Sequence, residues 1–124
     1  MYRVGLRRGF IAQHVFDVPG PEGVVHSHPY LVELEIVGEE LDARGYLVDL
    51  DRMAEVLRDA LEQLRDRVLN ELPAFRHRPP SVENLARTVW EMTVPQLAVP
   101  GQRGARVTVW ESEEAWASYE ERGP

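Results

Sequence analysis

The spacing of apolar residues changes along this chain, and the change limits the folds that the chain can adopt. Apolar residues alternate along 30–37, so that one face of an extended segment would carry Tyr30, Val32, Leu34 and Ile36. That alternation predicts a half-buried strand. From Asp51 onward, apolar residues recur every three or four positions instead. This second pattern predicts an amphipathic helix that ends near residues 70–72, before Pro73.

The remaining elements complete a simple order. Residues 3–16 predict a first strand, and 105–111 predict a third one after the helices. Ser81 is a favourable N-cap for a second helix, which Pro95 would close. Residues 114–120 fit either a short strand or a helix. The order β-β-α-α-β-(β) predicts an α+β fold, with both helices on one face of an antiparallel sheet. At 124 residues we expect one domain, 1–124.

Composition excludes several classes of function. The chain has 14 Lys and Arg against 21 Asp and Glu, a net charge of −7, which disfavours a general binder of nucleic acid or anionic membranes. It has no cysteine, which excludes disulfides, thiolate metal ligands and a cysteine nucleophile. No apolar run approaches the roughly 20 residues that span a bilayer. We therefore expect a cytoplasmic protein without nucleic-acid or membrane partners.

Three of the four histidines lie within fifteen residues of one another. His26 and His28 are two positions apart, so their side chains would share one face of an extended segment. If the first two strands pair, the Pro/Gly-rich loop between them would return His14 opposite the other two. Three imidazoles with an open fourth position are the ligand set of a catalytic zinc. Unrelated surface histidines are the alternative interpretation of the same spacing.

Six short segments, taken together and in order, resemble the 6-pyruvoyl-tetrahydropterin synthase family, which includes bacterial 6-carboxy-tetrahydropterin synthases. They are FIAQH at 10–14, HSHPY at 26–30, GYLVDL at 45–50, LN at 69–70, SVENLA at 81–86 and VTVWES at 107–112. The resemblance implies a tunnelling fold, in which a four-stranded antiparallel sheet with two helices trimerises into a barrel. Two such trimers stack, so a homohexamer is expected. It also implies a zinc ion on His14, His26 and His28, and a pterin held in part by Glu111.

Three residues are candidates for substrate binding, namely Glu111, Glu83 and Ser81. Glu111 follows the third strand, and a carboxylate there could accept two parallel hydrogen bonds from the edge of a 2-amino-4-oxopyrimidine ring. The alternative is a solvated strand end. Glu83 and Ser81 could also contact substrate. Their alternatives are structural, since an acid in the first turn favours the helix dipole and a serine caps it.

Two positions depart from the family pattern. Glu22 stands where these enzymes usually carry a cysteine, and Arg65 and Asp66 stand where they usually carry Asp-His. We therefore predict Glu22 and Asp66 as the residues that transfer protons. A glutamate at the cysteine position is similar to a subgroup that cleaves the side chain of dihydroneopterin to give 6-hydroxymethyl-dihydropterin.

These observations predict a zinc-dependent pterin-processing lyase that acts on 7,8-dihydroneopterin triphosphate or a close relative. Its rivals are a dihydroneopterin side-chain aldolase and a non-catalytic paralogue that binds zinc and pterin. The basic run 76–78 could contact a substrate triphosphate, because guanidinium groups suit phosphate oxygens, or could be a solvated loop. His77 within it could replace the missing catalytic histidine.

Overall fold

The protein, represented by a computed structural model, is described here over residues 1–123. Its main elements are, in order, β1 (Tyr2–His14), β2 (His26–Gly38), α1 (Leu50–Glu62), α2 (Val82–Thr93), β3 (Gln102–Trp110) and β4 (Trp116–Arg122). The predicted α+β class is confirmed. The tail that sequence patterns left open forms a strand, because it pairs with β3 along its whole length.

The four strands form one antiparallel sheet in the order β1-β2-β3-β4. Its buried face includes the predicted stripe of β2, namely Tyr30, Val32, Leu34 and Ile36. Helix α2 packs on β3 and β4, and α1 packs on α2 and β1. The core therefore lies between the sheet and the two helices, as the sequence predicts.

The predicted end of α1 is wrong. The helix ends at Glu62, well before residues 70–72, and a turn follows. In that turn Asp66 has a left-handed backbone with a φ of 58°, and its N–H donates to the carbonyl of Ile11 at 2.7 Å. The helical spacing continued past the true end because Leu64 and Leu69 are also fully buried, from the turn and from a short 3₁₀ segment.

Strand β2 begins at His26, four residues before its predicted start. The early part includes Pro29, which lies opposite Ile11 of β1. Proline lacks the N–H that a central strand needs, and the alternation that predicts the strand begins only after it, at Tyr30. The pairing between β2 and β3 begins only at Leu31, so Pro29 occupies a stretch of β2 that has a neighbour on one side.

The side chain of Asn70 pairs with the backbone of Val15, just after β1, as a neighbouring strand would. We call this pair of hydrogen bonds the clamp. Asn70 accepts a hydrogen bond from the N–H of Val15 at 3.0 Å and donates one to its carbonyl at 2.9 Å. Just before it, the N–H of Gln13 donates to the carbonyl of Arg67 at 2.9 Å. Residues 66–70 therefore cover the outer edge of β1 next to His14.

The rest of that edge faces outward. The N–H and C=O groups of one strand residue point to the same side of the strand. Along β1, every second residue directs these groups toward β2, and the residues between them direct theirs away from it. The segment 66–70 occupies these groups at Ile11, Gln13 and Val15. The same alternation directs those of Gly5 and Arg7 to the open part of the edge. Strand β4 forms the opposite edge of the sheet.

We expect Asn70→Ala to lower the free energy of unfolding by about 1–3 kcal/mol, because it leaves two partly buried backbone groups of Val15 without a partner. Urea unfolding followed by circular dichroism measures the change. Asn84→Ala is the matched control, since the Asn84 amide donates one exposed hydrogen bond, to the carbonyl of Pro79. A loss for Asn70→Ala no larger than for the control would contradict this account of the clamp.

Candidate metal centre and ligand groove

Three histidines meet at one end of the sheet, as the sequence predicts from their spacing. His14 is the last residue of β1 and lies opposite His26, the first residue of β2. His28 lies opposite Ala12, two pairs further along and therefore on the same face. The antiparallel register therefore brings His14 to two side chains that lie twelve and fourteen residues later in the chain.

The three rings are in mutual contact. Ring centroids are 4.5 Å apart for His14 and His26, 4.9 Å for His14 and His28, and 5.0 Å for His26 and His28. The Nε2 atoms of His14 and His26 are 2.8 Å apart. One ligand atom from each histidine and one carboxylate oxygen of Glu22 all lie within 4.8 Å of one another. This group of four, the histidine cluster, has the donor atoms of a metal site.

Hydrogen bonds orient two of the rings. The Nδ1 atom of His26 lies 2.7 Å from the carbonyl oxygen of Val24. The Nδ1 atom of His14 lies 3.1 Å from the hydroxyl of Tyr30. Both rings therefore direct Nε2 into the cluster, and metal-binding histidines in proteins commonly have the other ring nitrogen bonded in this way.

Burial is the main reason that the pKa of His14 is lowered, with further contributions from His26 and His28 when they are positively charged. The Pro80 backbone and Glu22 act in the opposite direction, more weakly. His14 is 2% exposed, so its charged form would lose most of its hydration. At neutral pH the ring is therefore neutral, which is the form that binds metals.

Glu22 reaches the cluster from the loop between β1 and β2. It lies in a short 3₁₀ turn, Pro21–Gly23, and its carbonyl accepts a hydrogen bond from the N–H of Phe16 at 2.8 Å. Its Oε2 atom is 3.2 Å from Nε2 of His26. The side chain is 55% exposed, so the carboxylate borders both the cluster and solvent.

Asp66 is not in this cluster. It is exposed, and its backbone lies against the outer edge of β1 beside Ile11. The four residues whose ligand atoms lie within 4.8 Å of one another include Glu22 but not Asp66. The structure thus brings only one of the two predicted proton-transfer residues to the histidines.

A groove of about 310 Å³ contains two of the three predicted substrate-binding residues. Glu111 follows β3 and Glu83 lies in the first turn of α2; the groove is lined by Val82, Glu83, Glu111, Ala115, Trp116 and Ala117. The hydroxyl of Ser81 accepts a hydrogen bond from the N–H of Asn84 at 3.1 Å. Ser81 therefore caps α2, as the sequence predicts, and is not among the lining residues.

Tyr30 contacts the histidine cluster through its hydroxyl, which lies 3.1 Å from Nδ1 of His14. Burial is the largest of the causes that raise its pKa, and the charges of Glu111 and Glu22 act in the same direction. Both carboxylates are therefore close enough to act on one hydroxyl. The sequence analysis missed Tyr30 as a site residue. Its signal was present, since it lies two positions after His28 and hence on the same face of the strand.

The three residues of the basic run 76–78 differ in their contacts. Arg78 donates to Glu91 of α2 at 3.0 Å, which gives it a structural partner. Arg76 and His77 are exposed, and His77 is not one of the clustered ligands. Among the described residues, none of the helices is long and apolar enough to cross a membrane.

Comparison with known proteins agrees with this arrangement. Residues 3–122 match the family described as 6-pyruvoyl tetrahydropterin synthase. The chain is 28% identical over 116 residues to a protein of Archaeoglobus fulgidus proposed to be a 6-carboxy-5,6,7,8-tetrahydropterin synthase, with 92% of this chain and 91% of that protein covered.

Solved structures share the fold. The 6-pyruvoyl tetrahydropterin synthase of Caenorhabditis elegans superposes with a TM-score of 0.80 at 20% identity, over 100% of this chain and 98% of that one. A Plasmodium vivax 6-pyruvoyltetrahydropterin synthase, in a form whose catalytic glutamate is replaced by alanine, superposes with a TM-score of 0.72 at 19% identity, over 98% and 99%. The match of nearly the whole sequence shows that this chain belongs to the 6-pyruvoyl tetrahydropterin synthase family.

Proposed function

We propose that this chain is a zinc-dependent pterin lyase that acts on 7,8-dihydroneopterin triphosphate or a close relative. The observation that carries the proposal is the histidine cluster, in which three imidazoles and a carboxylate converge. The groove of the same chain holds two further carboxylates, Glu83 and Glu111. Family membership supports a pterin as substrate. A single domain over 1–124 and a cytoplasmic location, both expected from the sequence, are part of the proposal.

The donor atoms of the cluster fit zinc. His14, His26 and His28 would hold the ion, as in catalytic zinc sites with three protein nitrogens. Two of these rings already have Nδ1 bonded and Nε2 directed inward, so neither ring would have to turn. When bound, zinc supplies Lewis acidity toward the hydroxyl groups of a substrate side chain.

The groove fits the flat ring of a pterin. Glu111 would accept two parallel hydrogen bonds from the amino and ring N–H groups of the pyrimidine edge. Glu83 lines the same groove and would add a second acceptor for these donors. Ser81 would act indirectly, because its hydroxyl caps the helix turn that carries Glu83. A volume of about 310 Å³ suits one small heterocycle.

Glu22 is the better candidate for proton transfer. Its carboxylate is 3.2 Å from His26, close to where a substrate side chain would meet the cluster. Asp66 is the weaker candidate, because it is exposed and lies outside the four clustered residues. Arg76 is exposed in the loop that leads to α2 and is the candidate partner of a substrate phosphate.

One observation favours a second function, the cleavage of dihydroneopterin to 6-hydroxymethyl-dihydropterin. A carboxylate, rather than a thiol, occupies the cluster. The Plasmodium vivax synthase, whose catalytic residue is a glutamate, supports a catalytic role for Glu22 under either function. A paralogue that binds zinc and pterin without turnover is the third outcome of the tests below.

We further propose that copies of the chain assemble into a trimeric barrel, two of which stack as a hexamer. The chain has four strands that alternate in direction, so β4 of one copy and β1 of the next would run antiparallel around a ring of identical copies. Such closure removes both open edges, which otherwise favour aggregation. The segment 66–70 limits the available part of β1 to its first nine residues, 2–10.

Purified protein should contain about one zinc per chain, because three nitrogens and one open position complete a tetrahedral site. His26→Ala and His28→Ala should each reduce zinc content to below about a tenth of this, as measured by elemental analysis after dialysis. His77→Ala is the matched control, since His77 is exposed and outside the cluster. Full zinc content in a variant that lacks all three cluster histidines would refute the metal site.

Zinc-loaded protein incubated with dihydroneopterin triphosphate and, separately, with dihydroneopterin should convert one of the two, with the product identified by mass. Conversion of the triphosphate supports the leading proposal. Cleavage of only the unphosphorylated compound supports the aldolase, and conversion of neither supports the non-catalytic paralogue.

On whichever substrate is converted, Glu22→Gln should retain zinc and pterin binding but lose at least about 100-fold in turnover, because an amide cannot move protons as a carboxylate does. Asp66→Asn is the matched control and should lose less, since Asp66 lies outside the cluster. Wild-type turnover in Glu22→Gln would contradict the proton-transfer role of Glu22.

Light scattering of the wild-type protein should report a trimer or a hexamer. Arg7→Pro should shift the protein toward monomers, because it removes an N–H that points to the open edge of β1 and not toward β2. Arg7→Ala controls for the lost ion pair with Glu33 and should leave the assembly intact. A wild-type monomer at micromolar concentration would contradict the proposed barrel.

A further inference from the structure

Tyr30 is buried beside the proposed zinc ligands without being one of them. It is 3% exposed, and its ring stacks on Phe10 with centroids 5.3 Å apart. Its hydroxyl lies 3.1 Å from Nδ1 of His14, and His14 itself is 2% exposed. Since burial leaves little room for water to replace this contact, the hydroxyl is the natural partner of that nitrogen.

We propose that Tyr30 is a positioning residue, whose hydroxyl keeps Nδ1 of the buried His14 hydrogen-bonded both with and without the metal and thereby raises the affinity of the site for zinc. This inference rests on the proposed function, because it concerns the same metal site. It assigns a role to a residue that would touch neither the metal nor the reacting atoms.

The contacts define the proton positions when both rings are neutral and no metal is bound. The carbonyl of Val24 can only accept, so Nδ1 of His26 carries the proton and its Nε2 has a lone pair. The 2.8 Å contact between the two Nε2 atoms then requires the proton of His14 to lie on Nε2. Nδ1 of His14 therefore accepts a hydrogen bond from Tyr30.

Zinc bound by the cluster would reverse this arrangement at His14. Nε2 would then need its lone pair for the metal, so the proton of the neutral ring would lie on Nδ1. Nδ1 then donates, and Tyr30 must accept. A hydroxyl can do both by rotation about its C–O bond, whereas a carbonyl or a carboxylate can only accept. Tyr30 therefore keeps the buried nitrogen bonded in both states.

The decisive measurement is the zinc dissociation constant of Tyr30→Phe, obtained by competition with a chromophoric chelator. The variant keeps the ring that stacks on Phe10 and removes only the hydroxyl. We expect affinity to fall about 10–100-fold, the usual effect of losing a hydrogen-bond partner of a metal-binding histidine. The visible spectrum of the Co²⁺-substituted protein should also change, because it reports ligand geometry and not fold stability.

Two controls separate this role from packing. Phe10→Leu disturbs the ring stack but keeps the hydroxyl, so it should lower thermal stability with zinc affinity within about threefold of wild type. Tyr119→Phe removes a hydroxyl bonded to Glu121 elsewhere and should leave zinc affinity unchanged. It also serves as a reference for the Co²⁺ spectrum.

The outcomes distinguish the two proposals. Tight binding by wild type and weaker binding by a folded Tyr30→Phe supports the inference. Tight binding by both would overturn the role of Tyr30 and leave the metal site standing, and so would an equal loss in Phe10→Leu. Failure of wild type to bind zinc would overturn the metal site and this inference together.

Discussion

The antiparallel pairing of β1 with β2 determines where the functional groups of this protein lie. The two strands pair over thirteen residues each, and His14, at the far end of one, lies opposite His26, at the start of the other. A slip of one residue would turn His14 to the opposite face of the sheet, away from His28. The apolar face of β2 resists such a slip, since Val32, Leu34 and Ile36 are fully buried. The same hydrophobic pattern that builds the core thus aligns the metal ligands.

Sequence patterns predicted those features of the structure that depend only on the spacing of residues within a short segment. The period-two face of β2, the cap at Ser81 and the shared face of His26 and His28 are all properties of short segments. The end of α1 was missed because the spacing of buried leucines continues through the turn that follows it. The clamp between Asn70 and Val15 joins residues 55 positions apart, and no local pattern encodes that contact. The tail became a strand because β3 offered it an open edge, which is a tertiary effect.

Within the histidine cluster, the buried His14 is poorly suited to carry a proton, and the four donor groups together suit a cation with several ligands. Burial lowers the pKa of His14, and a charge on either neighbouring ring lowers it further. A neutral imidazole offers a lone pair on one ring nitrogen, so a cation shared by the three rings would be bound by several nitrogens at once. Glu22, at 3.2 Å from His26, adds negative charge at the solvent side. Three imidazoles and one carboxylate that together could bind a cation therefore lie at one end of the sheet.

The covered edge of β1 also limits how any neighbouring molecule can approach the histidines. Because residues 66–70 already satisfy the backbone beside Ile11 and Gln13, no strand of another chain can extend the sheet there. Pairing between molecules along the edge of β1 must therefore stop short of the cluster. At this edge a second chain could reach the histidines only with side chains or loops.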